Sequence, residues 1–178
     1  MTHNFDDDFI FANSIDADAL VRRTCHRQIP DCCGVTRASP EDDRKGVDYW
    51  VRTTRARLGL DLKLRRRDYR AGRGGGIDCV IELDGYGSPG WLFKSGGADL
   101  ILFATFDTRR VALFETKALR TVIMLNVSRW LADGRAKEIT TDSSRDTRTW
   151  QNRAVIINGD VIAAAIDRLD AANDSGAP

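Results

Sequence analysis

The stretch VDYWVRTTRARLGLDLKLRRR, residues 47–67, decides how the chain is read. Its second half alternates. Leu58, Leu60, Leu62 and Leu64 fall on one side of an extended strand, and Gly59, Asp61, Lys63 and Arg65 on the other. The leucine side belongs to a core, so Asp61 and Lys63 are neighbours on the outward side. Residues 47–53 have the aromatic and β-branched content of a preceding strand, and TRARLG turns the chain. A hairpin closing between residues 53 and 57 brings Asp48 beside Asp61. The apolar alternation pins that register, because a one-residue slip would turn every leucine outward.

Around this stretch the charge is uneven. Residues 1–43 carry 4 basic and 9 acidic side chains, net −5; residues 44–73 carry 11 and 3, net +8; residues 74–178 carry 12 and 14, net −2. An overall charge of +1 therefore hides a basic block of the kind on which a polyanion docks. The chain of 178 residues is long enough to bury a core and reads as one domain over 1–178, loosely ordered at 1–13 and 174–178. No apolar run approaches the roughly 18–20 residues of a membrane span, so no membrane partner is expected. The start, MTHNFDDDFIF, is acidic where an export signal is basic. Four cysteines (Cys25, Cys32, Cys33, Cys79) suit reduced thiols better than a disulfide scaffold, which points to a cytoplasmic protein.

Reading outward, a helix is expected from Ser14 to Pro30, with Ile15, Ala19, Leu20 and Cys25 as its apolar stripe. Residues 30–46 read as loop. Beyond the hairpin, IDCVIEL (77–83) is a strand, GYGSPG (85–90) a turn, and ADLILFATF (98–106) a central strand buried on both faces. VALFE (111–115) returns as a further strand. Thr116 caps a helix to about Asp133, with Leu119, Val122, Ile123, Val127, Trp130 and Leu131 at helical spacing. Residues 137–149 read as a polar loop, RAVIIN (153–158) as a strand, and Asp160 as the cap of a last helix. The fold class expected is α/β, a central mixed β-sheet flanked by helices.

Hydrolysis of a phosphodiester needs an activated water, stabilised charge on the phosphoryl oxygens and a neutralised leaving oxygen. Mg²⁺ or Mn²⁺ held by carboxylates, with a lysine nearby, meets those needs. Asp48, Asp61 and Lys63 form that set. The surrounding arginines, Arg52, Arg55 and Arg65 with Arg57, Arg66, Arg67, Arg70 and Arg73, suit phosphates of DNA or RNA equally. Lys94 and Trp91 are further candidates for nucleic-acid contact. Trp50 shares parity with Asp48, which suits a wall of the site, a base-stacking surface or core packing.

D-x12-D-x-K on two consecutive strands resembles the PD-(D/E)XK nuclease superfamily, which includes restriction enzymes, Holliday junction resolvases and phage or repair nucleases. RKGVDYWV followed by GLDLKLR is similar to small phage- or plasmid-type members, and ADLILFATFDTRRVALFETKALRTVI to their closing strands and helix. Val47 stands where the motif has proline, and Asp61 where glutamate is commoner. The resemblance covers about residues 14–130 and implies a single restriction-endonuclease-like domain. It implies Asp48 and Asp61 as metal ligands with the Leu62 backbone carbonyl, and Lys63 as catalytic lysine. It makes DNA, duplex or branched, the substrate of an endonuclease, and allows a homodimer, since many relatives cut two strands as dimers. A first-helix acid also belongs to many members, and Asp16 and Asp18 are the residues available.

Three alternatives stand beside this reading. A second acid-x-Lys triplet, Glu115-Thr116-Lys117 with Asp99 upstream, has worse geometry, because Lys117 falls in a helical turn. Cys25, His26, Cys32 and Cys33 match no common zinc spacing. Finally, a nucleic-acid-binding or accessory module that has lost cleavage would keep the arginines, but it has no use for Asp48 and Asp61.

Overall fold

Thr53 closes the hairpin on which the main sheet is built. Its Oγ accepts the N–H groups of Arg55 (3.2 Å) and Ala56 (2.9 Å), and its own N–H donates to the Ala56 carbonyl (2.8 Å). The computed structural model describes residues 17–66, 75–85, 88–93, 97–145 and 148–175. In chain order the elements are α1 (Ala17–Gln28), β1 (Cys32–Arg37), α2 (Pro40–Asp43), β2 (Tyr49–Thr53) and β3 (Arg57–Arg65). Then come β4 (Asp78–Gly85), β5 (Ser88–Pro89), a 3-10 turn (Trp91–Phe93), β6 (Leu100–Thr105) and β7 (Val111–Glu115). The chain ends with α3 (Thr116–Ala132), β8 (Ala136–Arg145), β9 (Arg148–Asn158) and α4 (Gly159–Ser175).

The chain divides into two compact units, each made of two separate pieces: residues up to 72 with 96–115, and 73–95 with 116 onward. The first unit holds a five-stranded mixed sheet in the order β1-β2-β3-β6-β7. β3 pairs antiparallel with β2, Tyr49 opposite Leu60 and Val51 opposite Leu58, and parallel with β6, Leu60 beside Leu100 and Leu62 beside Leu102. One face packs on α1. Val21 and Cys25 of the helix meet Val35, Tyr49, Val51, Leu60 and Leu102, with Leu58, Leu62 and Leu100 against them. The Tyr49 hydroxyl donates to Asp18 (2.8 Å) and ties helix to sheet. β6 is buried along nearly its whole length, as its apolar run requires.

The second unit holds a four-stranded antiparallel sheet, β5-β4-β9-β8, with α3 and α4 packed on each other and on its strands. Arg153 on the middle strand β9 reaches Glu138 of β8 (2.8 Å) and Asp84 of β4 (3.1 Å), joining three strands by charge. α3 buries Leu119, Val122, Ile123 and Trp130, and Gly134 follows at φ +76, the left-handed conformation that ends a helix cheaply.

The α/β class and the mixed sheet flanked by helices are present. Several local expectations are corrected. The strand at 78–85 does not join the mixed sheet; it pairs with β9. Residues 137–145 and 148–149 are strand rather than loop, since β8 and β9 run as one long ladder whose outer part is polar on both strands. Residues 30–46 contain β1 and α2. α1 buries Ala17, Val21, Thr24 and Cys25, a stripe at i, i+4, i+7 and i+8, while Ala19 is exposed. The cap of α4 is Asn158, whose Oδ1 accepts the Asp160 N–H (2.8 Å). Ser14, Ile15, Asp16, residues 1–13 and residues 176–178 lie outside the described residues, whereas Asp174 and Ser175, expected to be loosely ordered, belong to α4. Among the described residues no helix is long and apolar enough to cross a membrane. The four cysteines are thiols.

Leu60 is fully buried in the first core, whereas Leu64 on the same strand is half-buried. Leu60→Ala is expected to cost about 2–5 kcal/mol and Leu64→Ala clearly less. Urea unfolding followed by circular dichroism checks the difference.

Candidate active site

Gly59 lets the second carboxylate approach the first. A Cβ at this position would lie 3.1 Å and 3.3 Å from the two Val47 methyls and 3.5 Å from Ala98 Cα. Without it, the 47–48 segment settles against β3. The Asp48 N–H donates to the Leu60 carbonyl (2.9 Å), and the Asp48 carbonyl accepts from Ala38 (2.8 Å). β2 proper begins one residue later, so the next inward N–H of β3, that of Leu62, has no strand carbonyl opposite it. The Asp48 carboxylate takes that place, accepting the Leu62 N–H on Oδ2 at 2.6 Å. The side chain thus extends the ladder and is fixed in position by it.

Asp61 and Lys63 lie on the face opposite α1, as the alternation requires. Lys63 Nζ is 2.7 Å from Asp61 Oδ2, with side chains 30 % and 13 % exposed, a pair neither fully solvated nor sealed. Their register partners on β6 are Ile101 and Phe103, both buried, which lowers the dielectric on that side. Burial pushes the Asp48 carboxyl up to about 6. The Leu62 N–H and the Lys63 charge pull it down, and the Asp61 and Asp43 carboxylates push it up. Asp48, Asp61 and Lys63 are therefore one electrostatic cluster.

The N–H and C=O of one strand residue leave on the same edge, so the Leu62 carbonyl also points toward the Asp48 side. Arg52 and Trp50 follow Asp48 on its face by parity, and Arg57 and Arg65 follow Asp61. Arg55 is exposed at the turn. Arg67 and Lys94 lie outside the described residues. Asp18 is engaged with Tyr49 on the α1 face, away from the cluster.

The rival triplet does not converge. Glu115 is opposite Leu100, whose side packs toward α1, so it belongs to the face away from Asp61. Lys117 lies in the first turn of α3, and Asp99 Oδ2 is taken by the Gly59 N–H (2.8 Å). Sequence reasoning missed Asp43 and Asp42. Asp43 acts on Asp48 through its charge, and Asp42 Oδ2 accepts the Trp50 indole N–H (3.1 Å). Both sit on α2, inside a segment with no periodicity to announce it.

Among the described residues no group of three or more His, Cys, Asp or Glu is placed to hold a metal ion. Two adjacent carboxylates still match the donor set of Mg²⁺, which takes one or two carboxylates and leaves its other positions to water and phosphate. No family model matches the chain, and no curated protein or solved structure matches it.

The raised Asp48 carboxyl carries a sign. The folded chain holds this proton more tightly than the unfolded one, so stability falls as pH rises from about 4 to about 6, and the whole penalty, on the order of 3 kcal/mol, remains above that. Asn keeps an acceptor for the Leu62 N–H without the charge. In metal-free buffer Asp48→Asn is expected to be more stable than wild type near pH 8, by on the order of 1–3 kcal/mol, and indistinguishable near pH 4. Denaturant titrations at the two pH values decide it.

Proposed function

We propose that the chain is a metal-dependent nuclease hydrolysing DNA phosphodiester bonds. One observation carries the reading: Asp48, Asp61 and Lys63 meet on one sheet face, flanked on that face by Arg52, Arg57 and Arg65. Arginines alone describe a binder. A partly buried carboxylate pair among them opposes phosphate binding unless a cation joins the two.

In this reading Asp48 and Asp61 hold Mg²⁺ or Mn²⁺, with the Leu62 carbonyl directed to the same edge. The bound ion supplies Lewis acidity and lowers the pKa of water. Lys63, held in place by Asp61, stabilises the negative charge that grows on the phosphoryl oxygens. Asp48 is oriented by the Leu62 N–H, so its position does not depend on a flexible rotamer. Arg52, Arg55 and Arg65 neutralise neighbouring phosphates. The resemblance to PD-(D/E)XK nucleases points to DNA and to internal cleavage, and the D-x12-D-x-K spacing supports the same roles for the three residues.

A second reading rests on the Lys63–Asp61 ion pair, which already neutralises one of the two proposed metal-binding carboxylates. A nucleic-acid-binding or accessory module is consistent with that pairing, and one experiment separates the two. Purified protein is incubated with plasmid, linear duplex, single-stranded and branched DNA, and RNA, in Mg²⁺, Mn²⁺ or EDTA. The nuclease reading expects metal-dependent cutting, reduced at least about a hundredfold in Asp61→Asn and in Lys63→Met and unchanged in Glu115→Gln. Salt-sensitive binding without cutting by any metal selects the binding module instead.

A further inference from the structure

The end of the β2–β3 hairpin carries Arg52, Arg55 and Arg57, all exposed. Arg52 and Arg57 are directly opposite in the register, where like charges destabilise a sheet. Among the described residues none of the three is within ion-pair distance of a carboxylate. An unrelieved positive cluster of this kind is suited to an anion brought from outside.

Arg57 is also stacked. Its guanidinium carbon lies 4.0 Å from the Trp50 ring centroid. The indole beneath is held by its N–H bond to Asp42 Oδ2 (3.1 Å), and Asp42 is held by Ser39, whose Oγ accepts the Asp42 N–H (3.2 Å). The indole bond, followed by the Ser39 contact, keeps the Asp42 carboxyl below its ordinary value and therefore ionised. Trp50 thus holds the guanidinium of an exposed Arg57 over its ring. Guanidinium planes are surfaces on which unpaired bases stack, and the interior bases of a duplex offer no such face.

Resting on the nuclease reading above, we propose that the hairpin end is a subsite for an unpaired strand, so that the substrate is DNA with a single-stranded segment adjoining the cleavage point. A base stacks on Arg57 while Arg52 and Arg55 take the flanking phosphates. Arg57 is four residues from Asp61 on the same strand face, about 13 Å at about 3.3 Å per residue. At about 3.4 Å per nucleotide of a stacked strand that distance is about four nucleotides, and an extended unpaired strand covers it with fewer. The unpaired segment therefore spans up to about four nucleotides to one side of the scissile bond.

The test is fluorescence anisotropy in EDTA with labelled single-stranded, overhang-bearing duplex and blunt duplex DNA over a range of salt. Wild type is expected to bind the first two more tightly than the blunt duplex. Arg57→Gln should lose about tenfold on them and little on the blunt duplex. Arg57→Lys, which keeps the charge and loses the plane, should lose nearly as much. The Arg52→Gln/Arg55→Gln double variant should lower the slope of log affinity against log salt by about 1.4 on single strands. All the substituted residues are exposed, and thermal melts confirm that each variant is folded.

Blunt duplex preferred, full rescue by Arg57→Lys, or equal displacement by polyglutamate would each overturn the subsite. If Asp61-dependent cleavage persists in that case, the nuclease reading stands without it. Wild type that binds no DNA and cuts none removes both.

Discussion

Everything at the candidate site depends on the pairing of β2 with β3. Tyr49 and Val51 lie opposite Leu60 and Leu58, and all four face the core under α1. A fully buried Leu or Val is worth about 1.5–3 kcal/mol relative to exposure, so a slip by one residue would forfeit several such terms together. The same geometry that holds the leucines in holds Asp61 and Lys63 out. The placement of the charged groups is thus maintained by apolar side chains that never touch them.

That coupling explains why the hairpin was legible. A strict period of two over Leu58–Leu64 names both the element and its faces, and a strand of that kind has one sensible register against a short preceding strand. α3 and β6 were legible for similar reasons, one through helical spacing and the other through an unbroken apolar run. The partner of β4 was not. IDCVIEL announces a strand, but its apolar content suits either sheet, and the strand it pairs with lies far along the chain. The β8–β9 ladder was hidden because Thr, Ser, Asp and Arg dominate its outer part, a composition shared with loops. In α1, Ile15 drew the expected stripe toward Ala19, whereas the buried residues start from Ala17.

Within the site, the meeting of Asp48, Asp61 and Lys63 was readable, and the means by which Asp48 is held was not. Its carboxylate completes a backbone ladder at the point where β2 runs out, and that depends on where a strand ends rather than on which residues it contains. Gly59 was seen only as a member of the outward side. Its part is to admit Val47, and that becomes visible only when the two segments are in place. Asp42 and Asp43 shape the indole and the carboxylate from a helix of four residues, too short to leave a pattern.

The interleaving of the two units has a consequence during synthesis. The first unit has all its strands once residue 115 has emerged, so its sheet can close early. By then β4 has been made, but β9, which takes up most of its hydrogen bonds, has not. Cys79, Val80 and Ile81 must therefore wait, apolar and largely unpaired, through the making of a long helix and a further strand. The nascent chain is most open to faulty association in that interval, and the vulnerable segment belongs to the unit that carries none of the proposed catalytic residues.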